Sequence, residues 1–268
     1  MALFRWCKCW SVVLLLFMQA CAVRSVDQSQ ADASYGPKFA EPQNAFGLFP
    51  AAHPSANASQ PHTAVWQHHL FPGKQPTQYS YTLKDGKHTV MASAASSASM
   101  LRQAVRVEPA LLKDIVFSWK VAQLVPGADL ARREAHDSPV RLVLAFEGDR
   151  SEFSMKNAML SELSLTLTGE PMPYATLMYV WCNACAKEDV YLSPRTDRIR
   201  EIALEAGPER LGQWLTYQRD VQADYLKVYG QAPGALVGIG IMTDTDNTRQ
   251  SATAWYGPIS LTSSSGVK

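Results

Sequence analysis

The sequence has no excess of basic residues and no long hydrophobic run. After residue 21 it has only two cysteines. Its 25 lysines and arginines nearly balance its 24 acidic residues, which gives a formal charge of +1. Without surplus cations to neutralise phosphates, no nucleic acid partner is expected, nor electrostatic binding to anionic lipid. With 47% hydrophobic and 18% charged residues, the chain has an ordinary globular composition. Its 268 residues suffice for one β domain of about 200 residues.

The N-terminus has the pattern of an export signal. Arg5 and Lys8 precede the apolar run 12–18, which is too short to span a bilayer and suits the core of a signal peptide. The residues around Cys21 fit either ordinary cleavage between small residues or a lipobox, whose cysteine becomes the lipidated first residue. We therefore predict an exported, periplasmic protein, anchored to the outer membrane through lipid on Cys21 or released after cleavage.

Composition divides the chain into four parts. Ala, Ser, Gln and Pro dominate the stretch after the leader, where no hydrophobic period is sustained, so a flexible tether is predicted there. From Trp66 onward, short apolar segments alternate with turn signals. The predicted parts are a signal peptide over 1–21, a tether over 22–65, a β-sandwich over 66–262 and a disordered tail over 263–268.

Most segments of the domain have the pattern of short β-strands. A hairpin is predicted over 78–92, because Asp85-Gly86 at its tip favours a tight turn. Only two segments fit short helices, 156–168 and 221–229. Because no helix separates strands regularly, we predict an all-β fold, an antiparallel two-sheet β-sandwich of the jelly-roll type with roughly eight strands.

Cys182 and Cys185 are the only cysteines downstream of Cys21. In an oxidising compartment, a local disulfide between them is the expected role. A zinc site would need a second pair of ligands, and a thioredoxin-like redox pair would need a βαβ context. The sequence supplies neither, so we predict a structural disulfide.

Several motifs together resemble one known family. They are Phe117-Ser-Trp-Lys-Val, Asp137-Ser-Pro-Val-Arg-Leu-Val, Pro173-Tyr-Ala-Thr-Leu-Met-Tyr-Val-Trp, Ile239-Gly-Ile-Met-Thr-Asp-Thr-Asp-Asn-Thr and Tyr256-Gly-Pro-Ile. In this order they resemble the motifs of the bacterial exported family known as domain of unknown function 3047. The resemblance covers most of the predicted domain. The resemblance implies a galactose-binding-like jelly roll. It implies no catalytic residues, because the family has no assigned activity.

The polar loop between the last apolar strands is the first candidate site. Asp244, Asp246 and Asn247 lie there, within the stretch 238–261. Clustered oxygen atoms could hold calcium, but the loop lacks the sixth-position glycine and closing glutamate of an EF-hand. A turn in which Asp and Asn side chains bond their own backbone also accounts for these residues. We therefore predict no metal or cofactor, and two closing strands joined by a self-bonded loop that contacts ligand at its rim.

Aromatic and basic residues complete the predicted site. Trp255 and Tyr256 are neighbours in a strand, so one of them must leave the core and could stack on a sugar ring. Arg219 could bind an anionic ligand on a sheet face, although a solvated ion pair is the plainer account. The predicted ligand-binding residues are Asp244, Asp246, Asn247, Trp255, Tyr256 and Arg219.

The sequence does not assemble a catalytic centre, since it has no Gly-x-Ser-x-Gly elbow and few histidines in the domain. The leading hypothesis is a non-catalytic module that binds a glycan or another envelope component, with membrane contact only through an N-terminal lipid. One alternative is a hydrolase that acts on envelope polysaccharide through paired carboxylates. The other is a structural lipoprotein with protein partners. A groove lined by several carboxylates would favour the hydrolase.

Overall fold

Thirteen β-strands and two α-helices make up residues 66–263, the part of the chain that this computed structural model describes. The strands are β1 Gln67–Leu70, β2 Gln78–Lys84, β3 Lys87–Ala95, β4 Ser99–Val107, β5 Leu112–Val121, β6 Ser138–Phe146, β7 Ala175–Cys182, β8 Val190–Leu192, β9 Ile199–Ala206, β10 Leu215–Asp220, β11 Leu236–Asp244, β12 Ser251–Tyr256 and β13 Ser260–Ser263. The helices are α1 Met155–Thr168 and α2 Val221–Tyr229. Among these described residues, neither helix has the length and apolarity needed to span a membrane.

The strands form two sheets. The seven-stranded sheet has the order β1-β4-β11-β6-β7-β9-β8, and the six-stranded sheet has the order β10-β5-β12-β3-β2, with β13 also paired to β5. Within the described residues, every strand pair is antiparallel except β7 with β9. The predicted antiparallel two-sheet sandwich is therefore confirmed, although it has more than the roughly eight strands expected of a simple jelly roll. The strands missed are β1, β8 and β13, which are too short to show an alternating pattern.

Alternation along each strand builds the core between the sheets, because successive side chains of a strand point to opposite faces. Phe117 of β5 stacks on Tyr179 of β7 with ring centroids 5.6 Å apart, so the two sheets meet there. Trp119 and Trp181 are fully buried. These two tryptophans therefore belong to the core and offer no surface for a ligand.

Both helices begin and end where local side-chain chemistry predicts. Ser154 accepts a hydrogen bond from the backbone of Asn157 at the start of α1, and Asp220 caps α2 in the same way. Gly169 and Gly230 end the two helices with positive φ angles of 77° and 72°, which glycine adopts without strain. The predicted helices over 156–168 and 221–229 are thus confirmed.

The last long strands do not pair with each other, which corrects the expectation of a closing strand pair. Strand β11 lies between β4 and β6 in the seven-stranded sheet. Strand β12 lies between β3 and β5 in the six-stranded sheet. The loop that carries Asp246 and Asn247 therefore crosses from one sheet to the other. Two consecutive apolar strands have the same sequence pattern whether they pair with each other or belong to different sheets. The sequence therefore did not distinguish the two arrangements.

Candidate functional site: a groove on the seven-stranded sheet

A groove of about 790 Å³ lies on the face of the seven-stranded sheet that points away from the core. Ligand sites in proteins commonly have volumes of about 300–1,000 Å³. Strands β4, β11, β6, β7 and β9 form its floor, while α1 and the loop 169–173 form one wall. The groove therefore has the size and position of a binding site.

Strand pairing arranges the floor in three rows, because residues that pair across a sheet point to the same face. The rows are Met100–Met242–Arg141, then Arg102–Gly240–Val143–Met178–Glu201, then Ala104–Gly238–Ala145–Thr176–Ile199. The first row lies at the polar end of the groove. The third row lies at its apolar end.

Small residues hollow out the middle and apolar end of the floor. Gly238 and Gly240 leave β11 without side chains, and Ala104 and Ala145 flank Gly238. A Cβ atom on Gly240 would lie 2.6 Å from the sulfur of Met100, whereas one on Gly238 would lie 3.5 Å from the Cβ of Ala145. Glycine inside a strand often marks a place where a ligand approaches the backbone. Gly238 thus leaves space that no neighbouring side chain requires.

Helix α1 packs against the protein through polar residues, so its leucines are left to form an apolar wall of the groove. Its buried residues are Asn157 and Ser161, and Asn157 bonds both Asp197 and Thr196 at 2.7 Å. Its leucines therefore do not enter the core. The leucines that face the groove are Leu160, Leu163 and Leu167.

Arg141 organises the polar end of the groove. This buried side chain donates from Nη1 to Oε1 of Glu201 at 2.6 Å and from Nε to Oδ1 of Asp244 at 2.9 Å. Its Nη2 donates to the backbone oxygen of His136 at 3.1 Å. One guanidinium thus joins strands β6, β9 and β11 and the loop before β6.

The two carboxylates around Arg141 have opposite pKa shifts. Burial alone would raise the pKa of Glu201, but the charges of Arg141 and His136 outweigh it, so this pKa is lowered. At Asp244, burial outweighs the attraction of Arg141, and the pKa is raised. Oε2 of Glu201 has no hydrogen-bond partner among residues 66–263. Glu201 is thus the more readily ionised group, with one oxygen left unpaired.

The acidic loop is held by other parts of the chain, so the prediction of a self-bonded loop is wrong. Asp137 accepts from the backbone and side-chain nitrogens of Asn247 at 3.2 and 2.8 Å. It also accepts from the backbone nitrogen and the hydroxyl of Thr248, both at 2.7 Å. Asp246 pairs with Lys74 from the β1–β2 connection. These partners are far away in sequence, which is why local turn chemistry did not reveal them.

The same acidic groups form the one cluster with metal-binding potential in the described part of the chain. Oxygen atoms of Asp137, Asp244 and Asp246 lie within 4.8 Å of one another. Both oxygens of Asp137 already accept hydrogen bonds, and the other two carboxylates are paired with Arg141 and Lys74. A hard cation would have to displace these donors. The arrangement is an internal ion-pair network.

The predicted aromatic contacts lie outside the groove. Tyr256 is buried and donates from its hydroxyl to the backbone oxygen of Met242 at 2.5 Å. Trp255 points the other way, onto the outer face of the six-stranded sheet, where the amino group of Lys84 lies 4.5 Å from the centre of its ring. The two residues do face opposite sides, as their adjacency predicts. Their strand, however, belongs to the sheet without the groove, so they do not join Asp244, Asp246 and Asn247.

Arg219 also lies outside the groove. It bonds both oxygens of Asp224, at 2.8 and 2.7 Å, and both oxygens of Glu188, at 2.7 and 3.0 Å. Two carboxylates therefore occupy its guanidinium. The ion-pair alternative describes this residue better than an anion site.

The cysteines behave as a structural element. A disulfide joins Cys182, at the end of β7, to Cys185, with Cα atoms 6.2 Å apart. Both residues pack with a small apolar cluster around Leu130. Cys21 and the predicted leader, tether and tail lie outside the described residues, apart from Ser263 at the tail's start.

Sequence reasoning found the loop end of the groove and missed its floor. Asp244, Asp246 and Asn247 line the groove, and their role as ligand contacts stays a prediction. Glu201 and its contact with Arg141 were not recognised, because isolated charged residues in strands give no sign that they meet. The alternating glycines Gly238 and Gly240 were a usable signal, since two glycines on one strand face leave a gap in the sheet surface.

Comparison with known proteins assigns the family. A family model described as "Protein of unknown function (DUF3047)" matches residues 64–260. The chain belongs to this family, as its motifs indicated. No curated protein sequence matches the chain.

Three solved structures resemble the chain distantly. The glycoside hydrolase domain of Endo-D from Streptococcus pneumoniae R6 is 9% identical with a TM-score of 0.32, over 76% of this chain and 22% of that one. The xyloglucanase domain of NopAA from Sinorhizobium fredii, in complex with cellobiose, is 8% identical with a TM-score of 0.39, over 74% and 92%. Winged bean acidic lectin, complexed with methyl-α-D-galactose, is 8% identical with a TM-score of 0.32, over 73% and 99%. These values are too low to assign a ligand or activity to this chain.

Proposed function

We propose that this member of the DUF3047 family is an exported, non-catalytic binding module that holds a glycan of the bacterial envelope in the groove of its seven-stranded sheet. The observation that carries the proposal is the hollow at Gly238, where the floor has no side chain and none is needed for packing. A glycine inside a strand weakens the strand and often marks a place where a ligand or another backbone approaches closely. A ligand that approaches the sheet backbone would use this hollow.

Polar groups at the groove rim support a sugar as the ligand. Asp246 and Asn247 are half-buried at one end, and Arg102 pairs with Glu170 beside the floor at 2.6 Å. Carboxylate oxygens accept hydrogen bonds, and amide and guanidinium groups donate them. Sugar hydroxyls do both. The rim therefore offers partners for a ligand with many hydroxyl groups.

The hydrolase alternative has two observations in its favour: several carboxylates line the groove, and the pKa shifts of Glu201 and Asp244 are opposite. Both carboxylates, however, are buried and bonded to the same guanidinium of Arg141. A general acid and a nucleophile must reach the glycosidic bond from two sides. Two groups held by one buried arginine are better placed to stabilise the groove than to cleave a sugar.

Export and lipid attachment are part of the same proposal. They are supported by the basic and apolar residues before Cys21 and by its lipobox-like surroundings. A module on a tether at the membrane surface would meet envelope glycans directly.

The test is binding of the full-length protein to a panel of bacterial envelope glycans, with and without their lipid portions. Gly238→Leu should weaken binding at least tenfold, because the new side chain fills the hollow. Ser93→Leu adds the same side chain to the exposed outer face of the six-stranded sheet and should bind like the wild type. Equal binding by wild type and Gly238→Leu would refute the groove as the site. If the wild type releases reducing sugar from these glycans, the protein is a hydrolase and the proposal of a non-catalytic binding module is refuted.

A further inference from the structure

The groove is aliphatic in its middle. Of its described lining residues, Phe71 alone carries a benzene ring, apart from two imidazoles. The floor and the α1 wall instead present methionine, valine and leucine side chains, which are Met100, Val143, Met178, Leu160, Leu163 and Leu167. A sugar ring packs best on a flat aromatic ring. This lining suits a flexible hydrocarbon chain instead.

Charge distinguishes the two ends of the groove. At the polar end, the carboxylates of Glu201, Asp244 and Asp246 already pair with the cations of Arg141 and Lys74. A carboxylate or phosphate head group would therefore find both cations occupied and three carboxylates beside it. Neutral hydroxyl groups, in contrast, can donate hydrogen bonds to these acceptors.

The apolar end has no comparable cluster. Its floor row consists of Ala104, Gly238, Ala145, Thr176 and Ile199, and Leu167 and Pro173 line the wall. Arg150 and Arg195 also line the groove, and Nε of Arg150 donates to the backbone oxygen of Met172 in the wall loop at 3.0 Å. Over the floor row itself, a ligand group would gain mainly by leaving water.

From this division we infer that the ligand is a sugar that carries an alkyl or acyl chain. The sugar lies at the end formed by Asp246 and Asn247, and the chain runs along the floor past Met100, whose side chain covers Gly240, to the hollow at Gly238. The inference rests on the proposed glycan-binding function and specifies its ligand class. Met100 and Met178 suit such a chain because methionine side chains adapt to irregular apolar shapes.

A series of alkyl glucosides tests the inference. Methyl, hexyl and octyl β-glucoside, each below its micelle-forming concentration, are titrated into the full-length protein by calorimetry. If the chain lies in the groove, each added methylene should raise affinity about fourfold. Gly238→Leu should abolish this increase, whereas Ser93→Leu should keep it.

The remaining outcomes separate the inference from the function it rests on. If envelope oligosaccharides bind in a Gly238-dependent way but the three glucosides bind equally, the chain inference is refuted and the glycan module stands. If octanoate binds as tightly as octyl glucoside, the sugar contributes nothing, and both the inference and the glycan function are refuted. If neither glycans nor glucosides bind, both are refuted as well.

Discussion

Two sheet faces point away from the core, and they are built in opposite ways. The groove face has glycines and aliphatic side chains under a helix, with one buried ion cluster at its end. The outer face of the six-stranded sheet carries Trp214 and Trp255, and the sequence suggested Trp255 as a residue that could stack on a sugar ring. The 790 Å³ groove lies on the other face, and its described lining contains no tryptophan.

The aromatic face is covered by its own hairpin. The amino group of Lys84 lies 4.5 Å from the ring centre of Trp255, and that of Lys87 lies 4.9 Å from the ring centre of Trp214. Asp85, between these lysines, accepts from Nε1 of Trp214 at 3.1 Å. The hairpin tip β2–β3 therefore already satisfies both rings through cation–π and hydrogen-bond contacts. An aromatic side chain outside the core is not by itself a free platform.

The two faces also differ in how their charges are held. Lys120 bonds Asp85 at 2.6 Å on the outer face, where Asp85 is exposed. Arg141 and Glu201 are almost completely inaccessible to solvent. Exposed pairs contribute little to stability because water and salt screen them, whereas a buried charge is costly once its partner is gone.

The largest expected effect comes from breaking the buried cluster. Arg141→Met should lower the free energy of unfolding by ~3–5 kcal/mol, because Glu201 and Asp244 would lose their shared cation in a buried site. Lys120→Met makes the same change on the outer face and should cost no more than ~1 kcal/mol. Urea unfolding of both variants measures the difference. If Arg141→Met and Lys120→Met lower the free energy of unfolding by similar amounts, the buried ion pairs contribute no more to stability than the exposed pair.

A smaller effect should separate the two glycines of β11. Gly240→Ala places a methyl group 2.6 Å from the sulfur of Met100 and should cost ~1 kcal/mol, the low end for overpacking, because the flexible Met100 side chain can partly move aside. Gly238→Ala meets no such contact and should be neutral or stabilise by ~0.4–1 kcal/mol, since alanine restricts the unfolded chain.

Thermal unfolding of the two alanine variants measures this contrast. The double variant Gly240→Ala/Met100→Ala is the control, and it should recover much of the cost of overpacking. Equal loss from both single substitutions would contradict the hollow at Gly238.

The smallest expected effect is a difference in pH dependence. The pKa of Glu201 is lowered in the folded state by Arg141 and His136 against the effect of burial, so the unfolded chain takes up its proton first. Its stabilising contribution is therefore present above the unfolded pKa and is lost as pH falls through the folded pKa. Glu201→Gln should therefore reduce the slope of the unfolding free energy against pH in the acid range, by less than ~1.4 kcal/mol per pH unit.

Unfolding free energies between pH 7 and pH 3 test the assignment, with Asp85→Asn on the outer face as the control. The pKa of Asp85 is also lowered, by its hydrogen bond to Lys120. Because that pair is exposed, salt should suppress its contribution, while the contribution of Glu201 should persist. If Glu201→Gln leaves the slope of unfolding free energy against pH unchanged, the pKa of Glu201 does not differ between the folded and unfolded states.

Much of the secondary structure was predictable because its causes are local. The Asp85-Gly86 turn, the caps of Ser154 and Asp220 and the closing glycines of both helices are all readable from neighbouring residues. The site was predictable only in part. The loop of Asp246 and Asn247 stands out by composition, whereas Glu201 has no sequence neighbour that marks it.

Helix α1 shows why pattern alone misleads. Its leucines have the spacing of a core-facing stripe, yet Leu163 and Leu167 are exposed and Asn157 is buried. The partners of Asn157 are Thr196 and Asp197, in the loop before β9. Their position relative to the helix depends on the whole sheet.

The sequence by itself determined most of the strands, the two helices and their ends, and the two-sided alternation that makes a sandwich, because propensity, capping and turn chemistry act within a few residues. Only the tertiary structure decided which sheet receives each strand, and it placed β11 and β12 in different sheets. It also brought Asp137 to Asn247 across 110 residues and Glu201 to Arg141 across 60. Such contacts depend on strand order, which many weak packing interactions set together and no single segment encodes.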